Sequence, residues 1–131
     1  NKHSQFNLGI ITNKLYYKVL YMKIKEIEFF PKEGERNSPE DSLQNICSED
    51  EQASILGKLE KLLEIPKNNW PFRWSKPVEE FNQLTQGDFR TLYKIVQEKI
   101  IVLHIFRKVG NKTKKKDISI ARANLYDYLE E

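Results

Sequence analysis

The chain has too little cysteine and histidine, and no long apolar run, for several common chemistries. Cys47 is the only cysteine, so no internal disulfide can form and a thiolate metal cage has no material, which points to a reducing, cytoplasmic setting. The two histidines, His3 and His104, are too far apart in sequence for a zinc motif. No metal and no cofactor is expected. No segment approaches the roughly eighteen apolar residues of a membrane span, so no membrane partner is expected. Also missing are a Cys–His partnership, a nucleophile elbow built on serine and glycine, and a carboxylate cluster suited to Mg²⁺.

What is present fits one domain: 131 residues and 15.6 kDa support a single core, and a mean hydropathy of −0.67 with 31% charged residues describes a heavily charged globular surface. The only methionine, Met22, directly precedes a strand-like stretch. Residues 1–21 therefore read as an N-terminal arm or an upstream extension, and residues 22–131 as the domain. The net charge of +3 conceals a polarity. Glu26–Glu64 holds eleven acidic against four basic residues, whereas Gly87–Glu131 holds ten basic against six acidic. Within the latter, "RKVGNKTKKK" (107–116) has six basic residues and no acid, the pattern of a polyanion footprint or of a solvated loop.

Periodicity predicts the order strand, long loop, helix, three strands, helix. "MKIKEIEFF" (22–30) reads as a strand with one buried face, ended by Pro31. Ser38 and Pro39 signal the start of a short helix through Cys47. Ser48 and Glu51 form a capping box for an amphipathic helix whose stripe is Ile55, Leu56, Leu59, Leu62 and Leu63. A loop with Trp70 and Trp74 follows, read as a lid over the core edge ahead of a base-stacking platform. "PVEEFNQL", "GDFRTLYKIV" and "EKIIVLHIFRK" are three sequential antiparallel strands. Thr113 can cap a last helix with Ile118, Ala121, Leu125 and Leu129 inward. The expected fold class is α+β, a twisted antiparallel sheet with helices on one face.

Alternation places Arg90, Leu92 and Lys94 on one strand face, opposite Phe89, Thr91, Tyr93 and Ile95. In the next strand it groups His104, Phe106 and Lys108 against Leu103, Ile105 and Arg107. A hairpin brings the start of one strand beside the end of the other, setting Arg90 near Arg107 and Lys108. Such cations repel unless solvated or matched by an anion, which points to a phosphate site. An arginine on an open, solvated strand face is the plainer alternative. RNA cleavage needs no protein nucleophile, because the substrate supplies its 2′-OH. His104, between Leu103 and Ile105, reads as a packing residue.

The runs "GDFRTLYKI", "KIIVLHIFRK" and "NKTKKKDISIARANL", in that order and spacing, resemble the C-terminal half of the RelE/HigB superfamily of toxin–antitoxin ribonucleases, in particular the phage-derived HigB-like branch of the RelE/ParE superfamily. The likeness covers about residues 74–131, with a looser fit of 22–30 and 49–65. It implies a RelE-like sheet with N-terminal helices and a C-terminal helix. The implied activity is that of an endoribonuclease (an mRNA interferase, a hydrolase by class) that cuts messenger on the ribosome and is held by a cognate antitoxin. It implies catalytic roles for Arg90, Lys108 and Lys112, with Arg107, Lys94, Lys114, Lys115, Arg73 and Lys76 as RNA-binding cations. Tyr93 matches the family tyrosine, but its parity suggests a structural role. Where relatives carry an arginine this chain has Asn82, and "K-T-P" has become Lys112-Thr113-Lys114, implying fewer cations in the groove. Two other readings stay open: a non-catalytic ParE-like toxin acting on a protein target such as gyrase, and an inactive RNA-binding module of the same fold.

Overall fold

A computed structural model describes residues 24–110 and 113–131; the proposed arm at 1–21, Met22 and Lys112 lie outside the described residues. The elements are β1 (Glu26–Phe29), α1 (Pro39–Ile46), α2 (Glu49–Glu64), β2 (Ser75–Val78), β3 (Phe81–Gln86), β4 (Phe89–Val96), β5 (Lys99–Arg107) and α3 (Lys115–Leu129). One five-stranded sheet has the order β1-β5-β4-β3-β2. No helix among the described residues is long and apolar enough to cross a membrane.

The helix starts follow their caps. Ser38 Oγ accepts from the Asp41 amide, with Pro39 in the first turn of α1. The Ser48–Glu51 capping box is complete, each side chain satisfying the other's backbone N–H. Ile55, Leu59 and Leu62 of α2 are fully buried, while Leu56, expected on the same stripe, is exposed.

Two expectations about the sheet are corrected. β2, β3, β4 and β5 form an antiparallel meander, but β1 pairs parallel with β5, Glu26 opposite Lys99. No tight turn joins these two strands, so nothing local dictates their direction. The stretch "PVEEFNQL" is not one strand: Glu79 and Glu80 form a two-residue turn between β2 and β3, with Glu79 at φ 54°.

The helices also do not share one face. Ile55, Leu59 and Leu62 of α2 and Leu43 of α1 pack with Leu84, Phe89, Tyr93, Ile100 and Val102. Ile118, Ala121 and Leu125 of α3 pack with Phe81, Leu92, Ile101, Leu103 and Phe106 on the opposite face. β5 requires this arrangement, because Ile100 to Phe106 are buried without a break and so apolar on both sides. Leu129, expected inward, is exposed; Tyr128 packs edge-on against Phe30 instead.

A β-bulge interrupts the β4–β5 ladder: Leu92 pairs with His104 but Tyr93 pairs with Val102, leaving Leu103 as the extra residue. Leu103 and His104 consequently both face α3, which corrects the strict alternation expected there. Asn124, buried in α3, donates to the Leu103 carbonyl at 2.9 Å and to the Asn37 carbonyl at 3.3 Å, satisfying the bulged backbone.

Candidate active site

The α3 face of the sheet aligns residues from four strands. Lys76 pairs with Gln83, Gln83 with Leu92 and Leu92 with His104, giving one row across β2, β3, β4 and β5. The neighbouring row is Thr85, Arg90 and Phe106. Lys108 extends past β5, where its amide donates to the Asp88 carbonyl at 2.7 Å and holds the residue beside the β3–β4 turn. Gly87 sits in that turn at φ 58°, a conformation that suits glycine.

Arg90 is tethered to its own hairpin. Its Nη1 donates to the Gly87 carbonyl at 2.6 Å and the Phe89 carbonyl at 3.0 Å, while its Nε is buried without a partner. Burial opposes the charged form of Arg90, and Asp88 partly restores it. The Lys108 ammonium is pushed below the usual lysine range by burial first, then by the charges of Arg90 and Lys76. Lys108 therefore senses both Arg90 and Lys76 across the sheet end. Among the described residues none of them makes an ion pair, since Asp88 reaches Arg107 instead, at 3.7 Å.

Lys108 borders two concavities. One, of about 270 Å³, is lined by Lys76, Glu79, Gln83, Lys108, Thr113 and Ile118, together with Val78. The other, of about 190 Å³, runs from Phe106 and Lys108 to Lys114, Lys116 and Asp117 at the start of α3. A phosphate seated against Lys76, Arg90 and Lys108 would relieve their mutual repulsion, and a more negative phosphorane would relieve it further.

The structure gathers some of the expected cations and separates others. Arg90, Lys108 and Lys76 converge, and Lys114 borders the second concavity. Arg107 borders the second concavity as a residue, but its guanidinium is turned away from Arg90 and Lys76, 4.6 Å from the Phe89 ring on the α2 side. Lys94 shares the face of Arg90, but its ammonium is drawn to the Glu80 carbonyl at 2.8 Å, beside the Glu80–Arg122 pair. Arg73 lies on the α2 side, where it depresses the Lys58 ammonium after burial has done so. Lys115 is exposed in the first turn of α3. Asn82 pairs with Tyr93 and alternates with Phe81 and Gln83, so it belongs to the opposite face and its identity does not thin this cluster.

Both tryptophans sit as a lid on the α2 side. The Trp70 indole N–H donates to the Leu62 and Ile65 carbonyls, and Lys58 lies over the Trp74 ring. Tyr93 is fully buried there, its hydroxyl against Ser75 and its ring edge-on to Trp70.

Sequence reasoning missed three groups. Gln83 is fully buried yet polar, and Thr113 is no helix cap: its hydroxyl donates to Gln83 Oε1 at 2.5 Å, and α3 begins at Lys115 without a side-chain cap. Asp117 holds the Nε2 of His104 at 2.8 Å. A lone polar residue inside an apolar strand, as His104 is in β5, was the available signal for Asp117; the mostly polar β3 gave none for Gln83. Among the described residues no three His, Cys, Asp or Glu side chains converge as a metal site.

A five-stranded α+β domain with a cationic end to its sheet is compatible with the fold of RelE-like toxins. The chain belongs to the family described as "Phage derived protein Gp49-like (DUF891)", whose model matches residues 45–126, from the end of α1 into the last turn of α3. That family is part of the RelE/HigB-like toxin superfamily. No curated protein matches the chain.

Proposed function

We propose that this protein is the toxin of a toxin–antitoxin pair and cleaves messenger RNA as an endoribonuclease, on the translating ribosome. The observation that supports this most directly is the convergence of Arg90, Lys108 and Lys76, with Arg90 held by two carbonyls and none of the three in an ion pair among the described residues. In this reading the substrate's 2′-OH attacks the adjacent phosphorus, the 5′-oxygen leaves, and the cations offset the growing charge. Arg90 and Lys108 act on the phosphorane; Lys76 and Lys114 position the flanking backbone. Lys112 is a third catalytic cation by family likeness. The partners are the messenger, the ribosome and a cognate antitoxin, for which an acidic segment covering the cations is the physical expectation.

Induced expression of the full chain beside Arg90→Ala and Lys108→Ala, with primer extension on a translated messenger, tests the proposal. Growth arrest with discrete cuts, both lost in each variant, is the expected result. Arrest that persists in both variants with the messenger intact would replace it with a toxin acting on a protein target.

A further inference from the structure

The cations account for charge stabilisation but leave the proton of the 2′-OH without an acceptor. Four carboxylates of the described residues lie near the sheet end, and three of them are ill placed for that task. Glu80 is committed to Arg122, with Nε–Oε2 at 2.5 Å and Nη2–Oε1 at 2.6 Å. Asp88 faces Arg107. Glu79 borders the larger concavity but is exposed in a turn, with no hydrogen bond that fixes it. Asp117 differs on both counts. It lines the same concavity as Lys108, and its Oδ1 accepts from His104 Nε2 at 2.8 Å.

The histidine is built to hold that carboxylate. His104 is buried, stacked on Phe106 at 5.0 Å between ring centroids, and placed toward α3 by the bulge at Leu103. Burial is the largest influence on its titration and favours the neutral ring, with Asp117 opposing and Lys116 assisting. A neutral ring whose Nε2 faces a carboxylate carries its proton on Nε2. Oδ1 of Asp117 is thereby fixed, and Oδ2 accepts no side-chain hydrogen bond from the described residues.

We infer that Asp117 is the general base of the cleavage reaction, its free oxygen taking the 2′-OH proton, and that His104 is the positioning residue that orients it. This rests on the ribonuclease reading. The O2′–P bond forms as the P–O5′ bond breaks; the 2′ proton passes to Asp117, and the Lys108 ammonium protonates the departing O5′. The products are a 2′,3′-cyclic phosphate and a 5′-hydroxyl. Lys108 suits the acid role because its ammonium gives up a proton more readily than a free lysine. The charged groups around Asp117 are Arg107, Lys108, Lys114 and Lys116 from the strand end and the helix start, with His104 behind it.

The test adds the purified full chain to ribosomes programmed with an end-labelled messenger and reads the rate of cyclic-phosphate ends. Asp117→Asn keeps an acceptor for His104 but cannot take a proton, and should slow cleavage by about 10²- to 10⁴-fold with RNA affinity unchanged. Asp117→Ala should be equally slow and should recover with added formate, which a purely structural role would not allow. His104→Phe should slow cleavage and His104→Gln, which retains a donor, should restore part of it. Wild-type cleavage with Asp117→Asn equally fast, or Asp117→Ala slow and unrescued, would overturn the base assignment while leaving the ribonuclease reading intact. No cleavage by the wild-type chain would remove both.

Discussion

Arg90 is held in a way that favours a ligand over the folded protein alone. Two carbonyls fix its Nη1, its Nε is buried without a partner among the described residues, and its charge is set against that of Lys108. Replacing it with methionine keeps the stem and removes the orphaned donor and the repulsion with Lys108, while the Gly87 and Phe89 carbonyls it releases lie where water can replace the lost donor. Arg90→Met should therefore raise stability by about 0.5–1 kcal/mol while abolishing cleavage, the trade expected where a site is strained for function. A denaturant midpoint that falls instead would show that the guanidinium holds the hairpin together rather than waiting for an anion. The arginine itself was legible in the sequence, because a cation two residues after a Gly-Asp turn has few structural uses. Its partners were only half legible. Alternation correctly put Lys108 on the face of Phe106, but nearness along the chain also suggested Arg107, whose register opposite Phe89 turns it toward α2.

At the scale of elements, α3 is the piece on which the site depends, since it delivers Asp117 and Lys114 to the sheet. Its apolar contacts are modest, with Ile118, Ala121 and Leu125 buried, so the polar anchor at Asn124 matters. Asn124→Ala should cost about 1–3 kcal/mol, chiefly because the buried Leu103 carbonyl would lose its donor, the Asn37 carbonyl being nearer to solvent. Urea unfolding measures this; a loss under about 0.5 kcal/mol would mean that water replaces the amide. That α3 covers the second face was not read from the sequence, which suggested helices on one face; the near-continuous apolar run of β5 was the signal, but amphipathic helices alone do not say which face they take. The bulge at Leu103 was not readable, since no glycine marks it. The Glu79-Glu80 turn was hidden for the same reason, a glutamate occupying a left-handed position normally given to Gly, Asn or Asp. β1 was recognisable as a strand, but its parallel pairing with β5 depends on tertiary packing across a long connection.

Over the whole molecule, charge is divided as the sheet divides it. The acidic run Glu26–Glu64 supplies α1 and α2 on one face, while the cations of β2, β4 and the β5 exit gather at the other. If the substrate is a polyanion, this imbalance would favour its approach to the sheet end over the α1–α2 side. Binding that neutralises phosphates releases counterions, with a slope of log affinity against log salt of about −0.7 per contact on single-stranded RNA. Three contacts from Lys76, Arg90 and Lys108 would give a slope of about −2. Lys76→Gln and Lys108→Gln should each flatten it by about 0.7. The exposed Glu60, on the α2 side, provides the contrast: Glu60→Lys should speed association at low salt through the long-range field and leave the contact slope nearly unchanged. If instead Glu60→Lys steepens the slope as much as Lys108→Gln flattens it, RNA is gripped on the α2 face as well. The sheet end would then be one part of a wrapped surface rather than the seat of the substrate.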